Sequence, residues 1–236
     1  MRIDKYLAHA LNVGRTDVKK ILKAKRVQVD GQIIKDGKFQ VTEQTVRVDN
    51  RVITYQENFY YLLHKPKGVV TATKDASQRT VMDLFSVADY RADLYPVGRL
   101  DKDTTGLLLI TNDGPLGHKL LSPKKHVAKT YLAMVAGELT LSGLERLRTG
   151  LELKNGEQTQ PAQVQVREQD PKNEASLVEI TIHEGKYHQV KRMFAAISCR
   201  VVELKRLTMG SLSLPADLPP GAYRPLTDLE LAQLKG

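Results

Sequence analysis

Four consecutive apolar residues, Leu107-Leu108-Leu109-Ile110, follow directly on the acid-rich segment Gly98-Arg99-Leu100-Asp101-Lys102-Asp103-Thr104-Thr105-Gly106 and precede Asn112-Asp113-Gly114. A short apolar run bounded by turn signals, here Gly106 and Asn112 to Gly114, reads as a buried strand. The polar residues ahead of it then stand at a strand entrance, where a carboxylate such as Asp101 can be held rigidly beside a cleft.

Several chemistries compete for that acid. An aspartyl-phosphate nucleophile commonly follows an apolar strand, and here the order is reversed. Asp101 to Gly106 also imitates the opening half of a calcium loop, but the loop's last position falls on Asn112 where a bidentate Glu is required. A metal-dependent phosphohydrolase built on Asp101 and Asp103 is a third reading. Spacing alone favours none of these over an Asp that tightens a turn.

Charge narrows the partners. Lys plus Arg number 36 against 27 Asp plus Glu, which gives a net charge of +9 and points to a polyanion. Residues 1–40 hold ten basic against four acidic residues, six of the nine net charges. No apolar stretch of transmembrane length, signal peptide or lipidation motif is evident, so a cytoplasmic monomer without membrane attachment is expected. Cys199 is the only cysteine and reads as a small buried hydrophobe, while no two of the six histidines have the spacing of a helical metal site. No metal is expected.

Ile3, Leu7, Ala10 and Leu11 form a helical apolar stripe, broken by Asn12 to Gly14. Thr16 can cap a second helix running through Lys25, with Val18, Ile21 and Leu22 inside. Asp30-Gly31, between Val27-Gln28-Val29 and Gln32-Ile33-Ile34, is a tight hairpin signal. Such a lysine-rich αα-hairpin plus β-hairpin can lay one face along phosphates. Further on, Tyr60 to Val70 reads as a strand broken by a Pro/Gly turn. Lys129 to Val135 and Leu177 to Ile182 alternate as strands, and Val190 to Phe194 begins a helix. Strands outnumber helices, so an α+β fold with a mixed, largely antiparallel sheet is expected.

The Arg2-Ile3-Asp4-Lys5-Tyr6-Leu7 opening, the Val13-Gly14-Arg15-Thr16 turn and the Val27 to Gly31 hairpin resemble the S4 RNA-binding domain, which implies phosphate contacts at Arg15, Lys19, Lys20 and Arg26. Gly98-Arg99-Leu100-Asp101 with Thr105-Gly106-Leu107, then Lys129-Thr130-Tyr131, then Glu184 to Met193 resemble, in order and spacing, the three active-site motifs of pseudouridine synthases. The ribosomal small-subunit branch of that family pairs the same two parts. The resemblance implies an S4 domain at 1–43, a linker and strand region at 44–58, and a catalytic domain at 59–236.

It also implies isomerisation of a uridine in 16S ribosomal RNA, at position 516, without cofactor or metal. Asp101 would act at the sugar, Lys191 would hold it ionised, and Tyr131 would stack on the base and help remove the C5 proton. Arg99 would bind phosphate, Arg192, facing away from Lys191 on the helix, would bind phosphate or pack structurally, and His188 and Gln189 would line the cleft. The partner would be 16S rRNA, free or in an assembly particle with ribosomal proteins. The alternatives are a 23S rRNA target and a non-catalytic S4-type RNA-binding or ribosome-assembly factor. The short stretch after Leu226 favours the small-subunit enzyme over relatives with long basic tails.

Overall fold

The apolar residues of the first positions recur at helical spacing, and that spacing buries Ile3, Leu7, Val18 and Leu22 between two short helices. In the computed structural model, which describes residues 1–170 and 172–236, these are α1 (Ile3–Ala10) and α2 (Arg15–Lys23). They pack on strands β1 (Val27–Val29), β2 (Gln32–Ile33), β3 (Val46–Val48) and β4 (Arg51–Val52), an antiparallel sheet in the order β2-β1-β3-β4. Asp30 and Gly31 both take positive φ, the backbone that a two-residue hairpin requires. Two expectations shift. Gly14, not Thr16, occupies the N-cap of α2, and the helix stops at Lys23 because Lys25 turns left-handed. The stretch 44–58, expected as a linker with one strand, supplies β3 and β4 to this sheet, and the first compact unit runs to Asn58.

The second unit, Phe59–Gly236, is built from β5 (Tyr60–Lys65), β6 (Tyr95–Val97), β7 (Thr105–Thr111), α3 (Gly114–Leu121), β8 (Lys129–Ala136), α4 (Leu141–Thr149), β9 (Gln163–Asp170) and β10 (Ala175–Ile182). It continues through α5 (Gln189–Ala196), β11 (Arg200–Met209), β12 (Leu212–Ser213), β13 (Tyr223–Pro225) and α6 (Asp228–Lys235). Its sheet runs β13-β5-β7-β11-β8-β10-β9, with β6 beside β7 and β12 beside β11. The β7–β11 pairing is parallel and the other pairings are antiparallel, so the sheet is mixed and largely antiparallel, as expected of an α+β fold.

The Leu107 to Ile110 run is continuous because β7 is covered on both faces. Leu108 and Ile110 join Met193 and Phe194 of α5, while Leu107 and Leu109 join Leu116 and Leu120 of α3. Each such burial contributes roughly 2 kcal/mol. Gly106, expected as the turn before this strand, instead lies inside it. The turn at Asn112 to Gly114 opens α3, where Asp113 Oδ1 accepts from the Leu116 N–H at 3.0 Å. The sheet thereby brings the turn before β7, the start of β8, the end of β10 and the middle of β11 to one cleft.

Candidate active site

The turn that carries Asp101 is pinned by the segment just after β5. Lys65, the last residue of that buried strand, is itself fully buried. Its Nζ donates to the carbonyls of Thr104 at 2.9 Å, Pro66 at 3.0 Å and Lys102 at 3.4 Å. The Gly68 N–H donates to Lys102 O at 2.8 Å. Thr71 Oγ1 donates to Leu100 O at 2.7 Å and accepts from the Leu100 N–H at 3.2 Å. Residues on both sides of Asp101 are therefore fixed before its side chain makes any contact.

Burial pushes the Lys65 ammonium down to about 8, against the upward pull of Asp103 and Asp101. Between that value and the ordinary lysine value of 10.5 the unfolded chain binds a proton that the folded protein has released. This group's contribution to stability is thus present above the ordinary value and is lost as pH falls through about 8. Wild type is expected to gain stability relative to a Lys65→Met variant as pH rises across this window. Chemical denaturation midpoints of both proteins over that range check it, and a flat difference contradicts it.

Asp101 itself faces a lysine and a histidine. Lys191 Nζ on α5 lies 3.1 Å from Oδ2, and His188 Nε2 lies 3.3 Å from Oδ1. Lys191 also donates to Asp103 Oδ1 at 2.6 Å. Burial alone would lower the Lys191 pKa, but hydrogen bonds and charge from Asp103 and Asp101 outweigh it and hold it above the usual value. The Lys191 hydrogen bond in turn draws the Asp103 carboxyl down. An ammonium whose pKa is raised thus bridges the two acids. Lys191 lies behind Asp101, which borders a cleft of about 940 Å³ with Arg99, Lys129, Tyr131, His188 and Arg206. That volume suits a nucleotide-sized ligand.

The other expected residues divide. Tyr131 on β8 is buried at the cleft wall, and Arg99 is exposed at its edge. His188 takes a left-handed backbone at the start of α5, and its ring stacks on Tyr187 at 3.8 Å. Gln189 borders the cleft, but its amide is engaged by the Lys186 N–H and Glu184, so it shapes the loop. Arg192 points elsewhere: it binds Glu157 at 2.7 Å, Asn155 and the Tyr187 carbonyl. Successive helical positions diverge, and with Lys191 aimed at Asp101 its neighbour meets the 155–157 loop. In the first unit Arg15 and Lys19 are exposed, Lys20 pairs with Asp17 at 2.9 Å, and Arg26 makes a two-pronged contact with Asp49.

Lys65, Lys129 and Arg206 went unnoticed as site residues. Lys65 alone left a signal, a charged residue closing the apolar run Tyr60 to Leu63. Among the described residues no group of three or more His, Cys, Asp or Glu is placed to hold a metal ion. A carboxylate clamped by a lysine at a cleft that also holds an aromatic ring and the cations Arg99, Lys129 and Arg206 can act as nucleophile or base on an anionic, ring-bearing substrate.

Comparison with known proteins points the same way. The profile of the family described as RNA pseudouridylate synthase matches residues 59–196, and that of the S4 domain matches residues 1–46. The chain is 45% identical over 233 residues to the "Uncharacterized RNA pseudouridine synthase YtzG" of Bacillus subtilis, covering 98% of this chain and 97% of that one. It is 43% identical to the "Ribosomal small subunit pseudouridine synthase A" of Yersinia pestis over 237 residues, covering 99% and 98%. A crystal structure of a pseudouridylate synthase superposes with a TM-score of 0.68 at 35% identity over 99% of both chains.

Proposed function

The chain belongs to the RNA pseudouridine synthase family, isomerases of RNA uridine, and on that premise we propose that it converts one uridine of 16S ribosomal RNA, at position 516, using Asp101 and no cofactor. The observation that carries the residue assignment is Asp101 itself, fixed by its backbone on both sides and by Lys191 at 3.1 Å, with one edge on the cleft. The small-subunit target rests on the name of the Yersinia pestis relative.

The reaction breaks the N1–C1′ bond, turns the uracil and rejoins it through C5. Asp101 acts at the sugar, as nucleophile at C1′ or as base at C2′, and Lys191 holds it in one rotamer. Tyr131 stacks on the base and assists removal of the C5 proton. A uridine in folded RNA must first leave its stack, at about a few kcal/mol. Arg99 at the cleft edge is suited to the phosphate of the extruded nucleotide. The exposed Arg15 and Lys19 of the S4 domain supply sequence-independent affinity for the backbone, in a cytoplasmic enzyme acting as a monomer.

Pseudouridine mapping of both rRNAs from cells with and without the gene tests this reading. Loss of one pseudouridine in 16S rRNA is expected. Loss in 23S rRNA would move the target, and an unchanged map would leave only an RNA-binding role.

A further inference from the structure

Arg206 is a buried cation that the roles assigned so far do not use. It is 1% exposed and among the largest fully buried side chains, yet it lines the cleft. Its Nε donates to Leu107 O at 2.8 Å, while Nη2 has no hydrogen-bond partner among the described residues. No ion pair involves Arg206 among them either. An unpartnered buried donor costs about 1–3 kcal/mol, more when charged, so a fold that keeps one at a cleft wall requires a reason.

Its position supplies one. Arg206 on β11 pairs directly with Tyr131 on β8, and directly opposed antiparallel residues project from the same face of a sheet. The guanidinium therefore stands beside the ring on which the base would stack. Lys129, two residues before Tyr131 on the same face, adds a second cation whose pKa is drawn down by burial and by the Arg206 charge. Ile182, Val190 and Leu204 make the surrounding wall apolar, which strengthens any field these groups exert.

We propose that Arg206 hydrogen-bonds a carbonyl oxygen of the uracil and stabilises the anion that forms when the base leaves the sugar. The inference rests on the uridine-isomerising reading above. When N1–C1′ breaks, its electron pair stays with the uracil and spreads over N1 and the ring oxygens. The sugar side is completed either by a bond from an Asp101 oxygen to C1′ or by a C1′–C2′ double bond after Asp101 takes the C2′ proton. The ring then turns, C5 bonds to C1′ while the carboxylate departs or returns its proton, C5 loses its proton, and N1 gains one. The product is an isomer of the substrate in either case. Preorganised donors aimed at developing charge in a dry site are among the strongest catalytic devices. A backbone phosphate suits the exposed Arg99; the enclosed Arg206 suits the base.

The test compares leaving groups in wild type and Arg206→Met, using two RNAs that carry uridine or 5-fluorouridine at the target position. Fluorine withdraws electrons and stabilises the departing anion by itself. Single-turnover loss of the N1-linked nucleoside is measured on both, with RNA affinity from filter binding and folding from thermal unfolding. With uridine, Arg206→Met is expected to be slower by about 100-fold with RNA affinity within about threefold. With 5-fluorouridine the loss should be at least about tenfold smaller. Arg206→Gln, which keeps a neutral donor, reads the same ratio should the Met variant not fold. Equal losses on both RNAs, or an unchanged uridine rate, would overturn this role alone. A wild-type protein that leaves uridine intact would overturn the isomerase reading and this inference with it.

Discussion

Asp101→Asn is expected to lower the single-turnover isomerisation rate at least about a thousandfold, roughly 4 kcal/mol in the barrier, while RNA affinity stays within a few-fold. The amide matches the carboxylate in shape but neither attacks C1′ nor takes a proton from C2′. Nor does the substitution strand a buried charge. Lys191 retains Asp103 Oδ1 at 2.6 Å, and the turn is held through the backbones of Leu100, Lys102 and Thr104, none of which involves the Asp101 side chain. The variant should thus unfold at nearly the wild-type temperature. Tritium release from C5-labelled RNA, with binding measured on the same RNA, separates the two effects. Turnover within tenfold of wild type would transfer the chemistry to another group, with Asp103 the nearest acid on Lys191.

The same contacts explain which parts of the site were legible in the chain. Asp101, Tyr131 and Lys191 lie within contiguous motifs whose order carries the resemblance, and the structure places Asp101 and Tyr131 on one cleft with Lys191 behind the acid. Arg192 follows the structural one of its two expected roles: its helical neighbour faces Asp101, and it binds the 155–157 loop instead. Arg206, and Lys65 apart from the charge that closes its apolar run, were hidden for a different reason. Lys65 ends β5 and Arg206 lies within β11, 39 and 99 residues from the Thr104 and Leu107 carbonyls they bind, and burial of a cation can be recognised only once the strands on either side are known. Gly106 looked like a turn for a related reason: a glycine ahead of an apolar run ordinarily breaks the chain. Here it answers the approach of another strand, which no local pattern records.

Gly106→Ala is accordingly expected to be the most damaging small substitution in the second unit. Gly106 pairs with Lys65 of β5 on one side and with Arg206 of β11 on the other, so both buried cations flank one residue without a side chain. Its φ of 109° is disfavoured for alanine, and an added Cβ would fall 2.2 Å from Arg206 O and 2.5 Å from Arg206 N. Those atoms are backbone, held in the sheet's parallel pairing, and cannot swing aside as a side-chain tip would. Relief requires β11 to move off β7, which would separate the turn of Asp101 from the wall formed by Tyr131 and Arg206. A loss of more than about 3 kcal/mol follows, or about 6–12 °C in unfolding temperature for a domain of this size. Activity should fall even where the variant remains folded, because the cleft opens along the same seam. Thermal unfolding and single-turnover rates well below the transition check both parts. A near-wild-type melting temperature would mean that β7 and β11 are not tied here, and the alignment of Asp101 with Arg206 would need another cause.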